Sequence, residues 1–243
     1  MSDTIDKLRD DSQYYGKFGR QFLSNSDIKV LLEDPSQYGV PTPDNPAFAG
    51  GRLFHQLILE PGKAANVVCV DAASRNTKKY KDACAEAGVP FMLLCKEQEN
   101  ITRLTDKMLG NLDFFDTIRA DGNVYEQPAV GTIMGKQFKG KADILGTDCI
   151  IDLKTTSNLD DFKWSARKYG YDSQAYIYQS LFGKPMVFYA IDKKTGRMGM
   201  FDTSDDFIRR GRDKVERALE VYDRFFGADA THNIETFYIK ETL

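Results

Sequence analysis

The stretch Gly140-Lys141-Ala142-Asp143-Ile144-Leu145, residues 146–149, and Ile150-Ile151-Asp152-Leu153-Lys154-Thr155-Thr156 decide how this chain folds. An acid stands near the end of the first run and an Asp-x-Lys near the end of the second. Residues i and i+2 of a strand face the same side, so Asp152 and Lys154 project together while Ile151 and Leu153 point into the core. With Asp143 on the neighbouring strand, two carboxylates can chelate a divalent cation. Lys154 can orient a water or stabilise charge on a pentavalent phosphorus, and the chemistry this set suits is metal-assisted phosphodiester hydrolysis. Taken alone, Asp-x-Lys recurs by chance in most proteins of this size as a solvated pair on an edge strand. Here Cys149, Ile150 and Ile151 precede it. That marks a central, buried strand, where unpaired charges cost several kcal/mol unless a metal or partner receives them.

Val124 to Met134, Phe138 to Leu145 and Cys149 to Leu153 are short runs rich in β-branched and aromatic residues, punctuated by Gly135, Gly140 and Gly146. They predict an antiparallel meander. Downstream, Tyr171 to Phe182 reads as a helix, and Met186 to Ile191 with Met198 to Phe201 as a hairpin turning at Thr195-Gly196. A last helix spans Phe207 to Phe226, with Ile208, Val215, Leu219, Tyr222 and Phe226 on one face. Upstream, Ser24-Asn25-Ser26-Asp27 offers caps for a short helix that stops at Asp34-Pro35. Pro35, Pro41, Pro43 and Pro46 predict a surface loop, after which Gly50-Gly51 opens a buried helix carrying His55 and ending near Pro61. Val67 to Val70 and Phe91 to Leu94 predict short strands around a polar helix. Ile101, Leu104, Met108, Leu112 and Phe115 predict one amphipathic helix. Without an internal repeat or low-complexity linker, a single α/β domain over residues 1–243 is the simplest organisation.

Of the 243 residues, 42% are hydrophobic and 28% charged, which excludes disorder and collagen-like structure. Lys and Arg number 33 against 36 Asp and Glu, a net charge of -3, so any DNA contact must be local. The longest apolar runs are far short of the roughly 20 residues of a membrane span, and the charged N-terminus lacks a secretory signal. The expected compartment is the cytoplasm, a reducing one, with Cys69, Cys84, Cys95 and Cys149 as free and mostly buried thiols. Only two histidines are present, His55 and His232, which leaves carboxylates to hold any cation and favours Mg2+ or Mn2+.

In order and spacing, His55, Glu126, Gly140-Lys141-Ala142-Asp143, Asp152-Leu153-Lys154 and Gln174-Ala175-Tyr176-Ile177-Tyr178 resemble a family pattern. The family is the PD-(D/E)XK nucleases, in the branch of the RecB nuclease domain and the RecE exonuclease (exonuclease VIII). Gly51-Arg52-Leu53-Phe54-His55-Gln56-Leu57-Ile58-Leu59-Glu60-Pro61 and Tyr169-Gly170-Tyr171-Asp172-Ser173-Gln174 are similar to stretches of the RecE-like group. The resemblance covers residues 24–192, between an N-terminal segment, 1–23, and a C-terminal hairpin strand and helix, 193–243. It implies an α/β restriction-endonuclease-like core, a central mixed sheet flanked by helices. It further implies Asp143 and Asp152 as principal metal ligands with the backbone carbonyl of Leu153 as a third, Lys154 as the water-positioning cation, and His55 at a second metal position, for two ions per site. Gln174 and Tyr178, four apart, share one helical face and can reach the site or a DNA phosphate together. Glu126 would take part in the site or support it from behind. Without the resemblance, His55 reads rather as a core histidine and Tyr178 as ordinary helix packing.

Local positive charge stands in three places. Arg75, Lys78, Lys79 and Lys81 have no acid between them; Lys136, Lys139 and Lys141 precede the catalytic strand; Lys163, Arg167 and Lys168 surround Trp164, whose ring could stack on a base. Each reads equally as a solvated face. The resemblance implies a 5′ to 3′ double-stranded DNA exonuclease that resects ends for recombination by strand annealing. A ring-shaped homo-oligomer, an annealing-protein partner and, for a phage-encoded enzyme, a bacterial cytoplasm come with it. An endonuclease of the same superfamily and a catalytically silent DNA-binding module are the alternatives. A Cas4-like iron–sulfur enzyme is disfavoured because no cysteine follows Cys149.

Overall fold

Two ten-residue strands, Val124–Ile133 and Lys136–Leu145, are joined by Met134 and Gly135, both at positive φ (48° and 79°). That two-residue turn twists with the strands it connects, which is why a tight hairpin forms there. In the computed structural model, residues 2–239 are described. The chain enters through α1 (Ser2–Arg9), α2 (Asp11–Tyr14), α3 (Asn25–Glu33), α4 (Pro46–Leu59) and α5 (Pro61–Ala64). A satellite follows: β1 (Cys69–Val70), α6 (Lys78–Glu86), β2 (Leu93–Leu94), α7 (Cys95–Leu109) and α8 (Leu112–Ile118). Then come β3 (Val124–Ile133), β4 (Lys136–Leu145), β5 (Ile150–Thr156), α9 (Phe162–Lys168), α10 (Tyr171–Phe182), β6 (Met186–Asp192), β7 (Met198–Asp202) and α11 (Asp205–Phe225).

The central sheet has the order β3-β4-β5-β6-β7; β5 and β6 run parallel and the other neighbours antiparallel. A parallel pair needs a long crossover, here α9 and α10. On one face Phe54 and Ile58 of α4, Leu104 and Met108 of α7, and Phe114 and Ile118 of α8 pack against Ile144, Ile151 and Leu153. On the other, Ala175 packs against Ala142, Ile150 and Phe188, and Ile177 meets Phe138 together with Val215 and Leu219 of α11 and Ile28 and Leu31 of α3. This is the mixed sheet flanked by helices that the sequence leads one to expect. Among the described residues no helix is long and apolar enough to cross a membrane.

Four local expectations are corrected. The proline-rich loop is shorter than predicted, because Asn45 caps Ala47 and Phe48 and places Pro46 at the first helical position, so α4 runs straight through Gly50-Gly51. The amphipathic run from Ile101 is two helices: Asn111 caps Phe114 and restarts the phase, leaving Leu112 75% exposed while Phe114 and Ile118 are buried. The strands expected at Val67 to Val70 and Phe91 to Leu94 shrink to two residues each, paired in parallel. That pairing sets Cys69 opposite Leu93 and brings Cys95 to a Cα separation of 5.0 Å, where the two cysteines form a disulfide rather than the free thiols expected. Cys84 and Cys149 are free.

Candidate active site

Alternation along β4 breaks at Asp143. Ala142 packs on the α10 side of the sheet and Ile144 on the α4 side, although two-residue spacing would put both on one face. Across on β3, Glu126 sits at φ 47°, a left-handed conformation that costs a non-glycine residue energy and is kept where the surroundings over-determine it. The β4–β5 ladder pairs Ile144 with Ile151 and Leu145 with Ile150, then stops. In its place the Asp143 carboxylate fills the gap, accepting the Leu153 N–H through Oδ2 at 2.7 Å.

His55 enters from α4. Its Nε2 is 2.8 Å from the Leu153 carbonyl, which can only accept, so Nε2 carries the proton; Nδ1 lies 3.4 Å from Asp143 Oδ1. Burial opposes a charge on the ring, but the Asp143 carboxylate outweighs it and raises the His55 pKa to about 9. The same imidazolium, with Lys154 and the Leu153 N–H, holds the buried Asp143 carboxyl below its ordinary range. Glu126 completes the group: His55, Glu126 and Asp143 each bring a ligand atom within 4.8 Å of the others. Burial, then the facing Asp143, push Glu126 up to about 7.

The other half of the site belongs to β5 and α10. Asp152 is 2% exposed, and its Oδ1 accepts from Gln174 Nε2 at 2.6 Å. Its Oδ2 is 2.5 Å from Lys154 Nζ but off the hydrogen-bond direction, so that oxygen has no hydrogen-bond donor. Burial, reinforced by Asp143, raises the Asp152 pKa to about 6 despite Lys154. Lys154 Nζ lies 4.8 Å from the centre of the Tyr171 ring and 5.9 Å from that of Phe188. This cationic contact fixes the ammonium on the aromatic wall of α10 and β6.

These donors fit a hard divalent cation. Three clustered groups, two of them crowded carboxylates, stand beside the Leu153 carbonyl and the Asp152 carboxylate, whose Oδ2 is paired with Lys154. Oxygens dominate this set, with a single imidazole, as Mg2+ or Mn2+ sites prefer. The cluster gives Glu126 a larger part than sequence spacing assigned it, and only its positive φ shows why. Asp152 stands outside the three-residue cluster and is engaged by Lys154 and Gln174.

Gln174 reaches the site, but Tyr178, expected to reach it together with Gln174, turns to β4: its hydroxyl donates to the Lys141 carbonyl at 3.1 Å and accepts the Lys141 N–H at 3.3 Å. Its ring lies over Gly140, where an added Cβ would come within 3.0 Å of it. Lys141 is not a free DNA contact either. It is buried, with Nζ 2.6 Å from Asp11 Oδ1 and 4.6 Å from the Tyr14 ring centre, because the N-terminal segment covers this part of β4. Lys139 and Lys136 are likewise engaged, by the Tyr14 carbonyl and by Asp223. In the satellite, Arg75 is paired with Glu97 and Lys79 with Asp71, while Lys78 stays exposed at the start of α6. Lys163, Trp164 and Arg167 remain on the exposed face of α9.

A solved structure of a candidate exonuclease from Eubacterium rectale shares this fold, with a TM-score of 0.67 and 16% identity over 96% of this chain and 95% of that one. An alkaline exonuclease from Laribacter hongkongensis is similar at a TM-score of 0.35 and 11% identity, over 92% and 94% of the two chains, which is too loose to carry an argument. Among curated proteins none matches the chain by sequence. The family described as a PDDEXK-like domain of unknown function (DUF3799) matches residues 31–230, the span that holds every residue of the site, and the chain belongs to that family.

Proposed function

We propose that the chain is a divalent-metal-dependent deoxyribonuclease, and more narrowly a 5′ to 3′ exonuclease that resects double-stranded ends for recombination by strand annealing. One observation carries the nuclease reading. A lysine ammonium and a carboxylate–imidazole cluster flank a single strand segment, Asp152-Leu153-Lys154, with Asp143 bound to the peptide between them.

When bound, a divalent cation supplies charge neutralisation at the phosphodiester and makes water more acidic. His55, Glu126 and Asp143 would hold it, with the Leu153 carbonyl and Asp152 beside them. Lys154 has donors beyond its contact with Asp152, and these orient the attacking water or stabilise charge on the phosphorus oxygens. Asp152 and the Tyr171 ring keep that ammonium in place, and Gln174 keeps Asp152 in place. Tyr178 stays out of the chemistry and braces β4.

The choice of exonuclease rests on the fold's likeness to the Eubacterium rectale protein and on the resemblance to the RecE type. Two ions per site, a ring-shaped homo-oligomer and an annealing-protein partner belong to the same proposal. Linear and covalently closed circular duplexes, labelled at each end and digested with Mg2+ or with chelator, test it. Metal-dependent loss of linear DNA alone, the 5′ label leaving first, is the expected result. Cutting of the closed circle overturns the exonuclease reading, and no cleavage of either overturns the nuclease.

A further inference from the structure

The chain has one tryptophan, Trp164, and it is 69% exposed on α9. Scattered exposed aromatics are ordinary, but this one stands in a charged setting. The helix buries Phe162 and Ala166, with Phe162 stacked on Phe201 at 4.4 Å, and turns Lys163, Trp164, Arg167 and Lys168 outward. No acid lies between residues 162 and 169, and the two that precede them are engaged, Asp160 by Arg197 and Asp161 by Asn158. The Arg167 guanidinium lies 5.3 Å from the indole centre. At the end of the helix Tyr169, 48% exposed, has two ammonium groups over its ring, Lys168 at 5.8 Å and Lys29 of α3 at 5.7 Å.

This surface is joined to the site. The Tyr169 ring is 6.1 Å from that of Tyr171, which is the ring that holds Lys154. Two exposed rings flanked by cations suit bases whose faces are free, and the cations suit the phosphates between them. In a duplex those base faces are already covered by stacking, so the matching ligand is an unpaired strand.

We propose that α9 and Tyr169 form a platform that holds unpaired nucleobases of the strand leading into the site, so that the scissile strand is single-stranded where it meets Lys154. The proposal rests on the nuclease reading. It is tested by following Trp164 emission in chelator while a thymidine oligonucleotide, or a blunt duplex of equal length, is added. Stronger quenching by the oligonucleotide than by the duplex, whose end must first open, is expected. Trp164→Ala, followed by anisotropy of a labelled oligonucleotide, should bind about 10-fold more weakly, and Arg167→Ala with Lys168→Ala should weaken binding with a smaller salt dependence. Oligonucleotide binding that leaves the emission and the Trp164→Ala affinity unchanged overturns the platform, and so does quenching by the duplex that equals or exceeds that by the oligonucleotide. Cleavage assays run alongside separate the two claims: cleavage without quenching keeps the nuclease and removes the platform. Quenching without cleavage keeps the platform and removes the nuclease, and neither signal overturns both.

Discussion

The two halves of the site are built differently. Asp152, Lys154 and Gln174 come from one strand and the second helix after it, within residues 152–174, and they hold one another by direct contacts. His55, Glu126 and Asp143 come from α4, β3 and β4, and two of the three are carboxylates facing one another. The first half is a charge pair that orients; the second crowds two carboxylates together, with the His55 imidazolium balancing only part of their charge. Asp143 belongs to both, through His55 on one side and the Leu153 N–H on the other.

If that division holds, Asp143→Asn is the most damaging single change, because it removes a ligand and the brace of the β5 peptide together. Cleavage should fall by about 10³-fold or more, with Mn2+ affinity falling alongside, by single-turnover assay and calorimetry. Lys154→Ala separates the halves: cleavage should fall by about 10²- to 10³-fold while Mn2+ and DNA affinity persist, since the ammonium acts on the transition state. Retained turnover removes Lys154 from the mechanism.

Glu126→Gln sharpens the comparison from the other side. Mn2+ affinity should drop by about 10- to 100-fold. In chelator, however, the variant should be more stable than the parent. The folded-state pKa of about 7 lies above the usual carboxylate value, so the folded parent binds the extra proton between pH 4.5 and 7 and loses stability as pH rises through that window. The glutamine escapes that loss, and its advantage should grow across the window to about 3 kcal/mol above pH 7. Melting curves at pH 5 and pH 8 check the sign; an advantage confined to pH 5 contradicts it. Tyr178→Phe is the mildest, costing about 1 kcal/mol of stability by denaturant titration and only a few-fold in rate, because its bonds go to the Lys141 backbone.

The same division governs what was legible in the sequence. Strand alternation placed Asp152 beside Lys154 because that contact is local, whereas Gln174, 22 residues on, was pointed to by the family resemblance and by a helical face shared with Tyr178. Glu126 could be named but not given its place, since its approach to Asp143 depends on a backbone turned to φ 47° in mid-strand. Lys141 read as a DNA contact because the residues that bury it, Asp11 and Tyr14, lie more than a hundred positions earlier. Cys69 and Cys95 likewise meet only through the parallel pairing of β1 with β2. The fold followed from runs of β-branched and apolar residues; the departures, at Pro46 and Asn111, came from caps that restarted helices where composition suggested a loop or a continuous helix.

The most direct measurement is calorimetric titration of Mn2+ into the parent, Glu126→Gln and Lys154→Ala proteins under one buffer condition. Weakened binding in Glu126→Gln with undiminished binding in Lys154→Ala is the result this account predicts. Undiminished binding in Glu126→Gln with loss in Lys154→Ala would contradict it and move the metal to the Asp152 side of the strand.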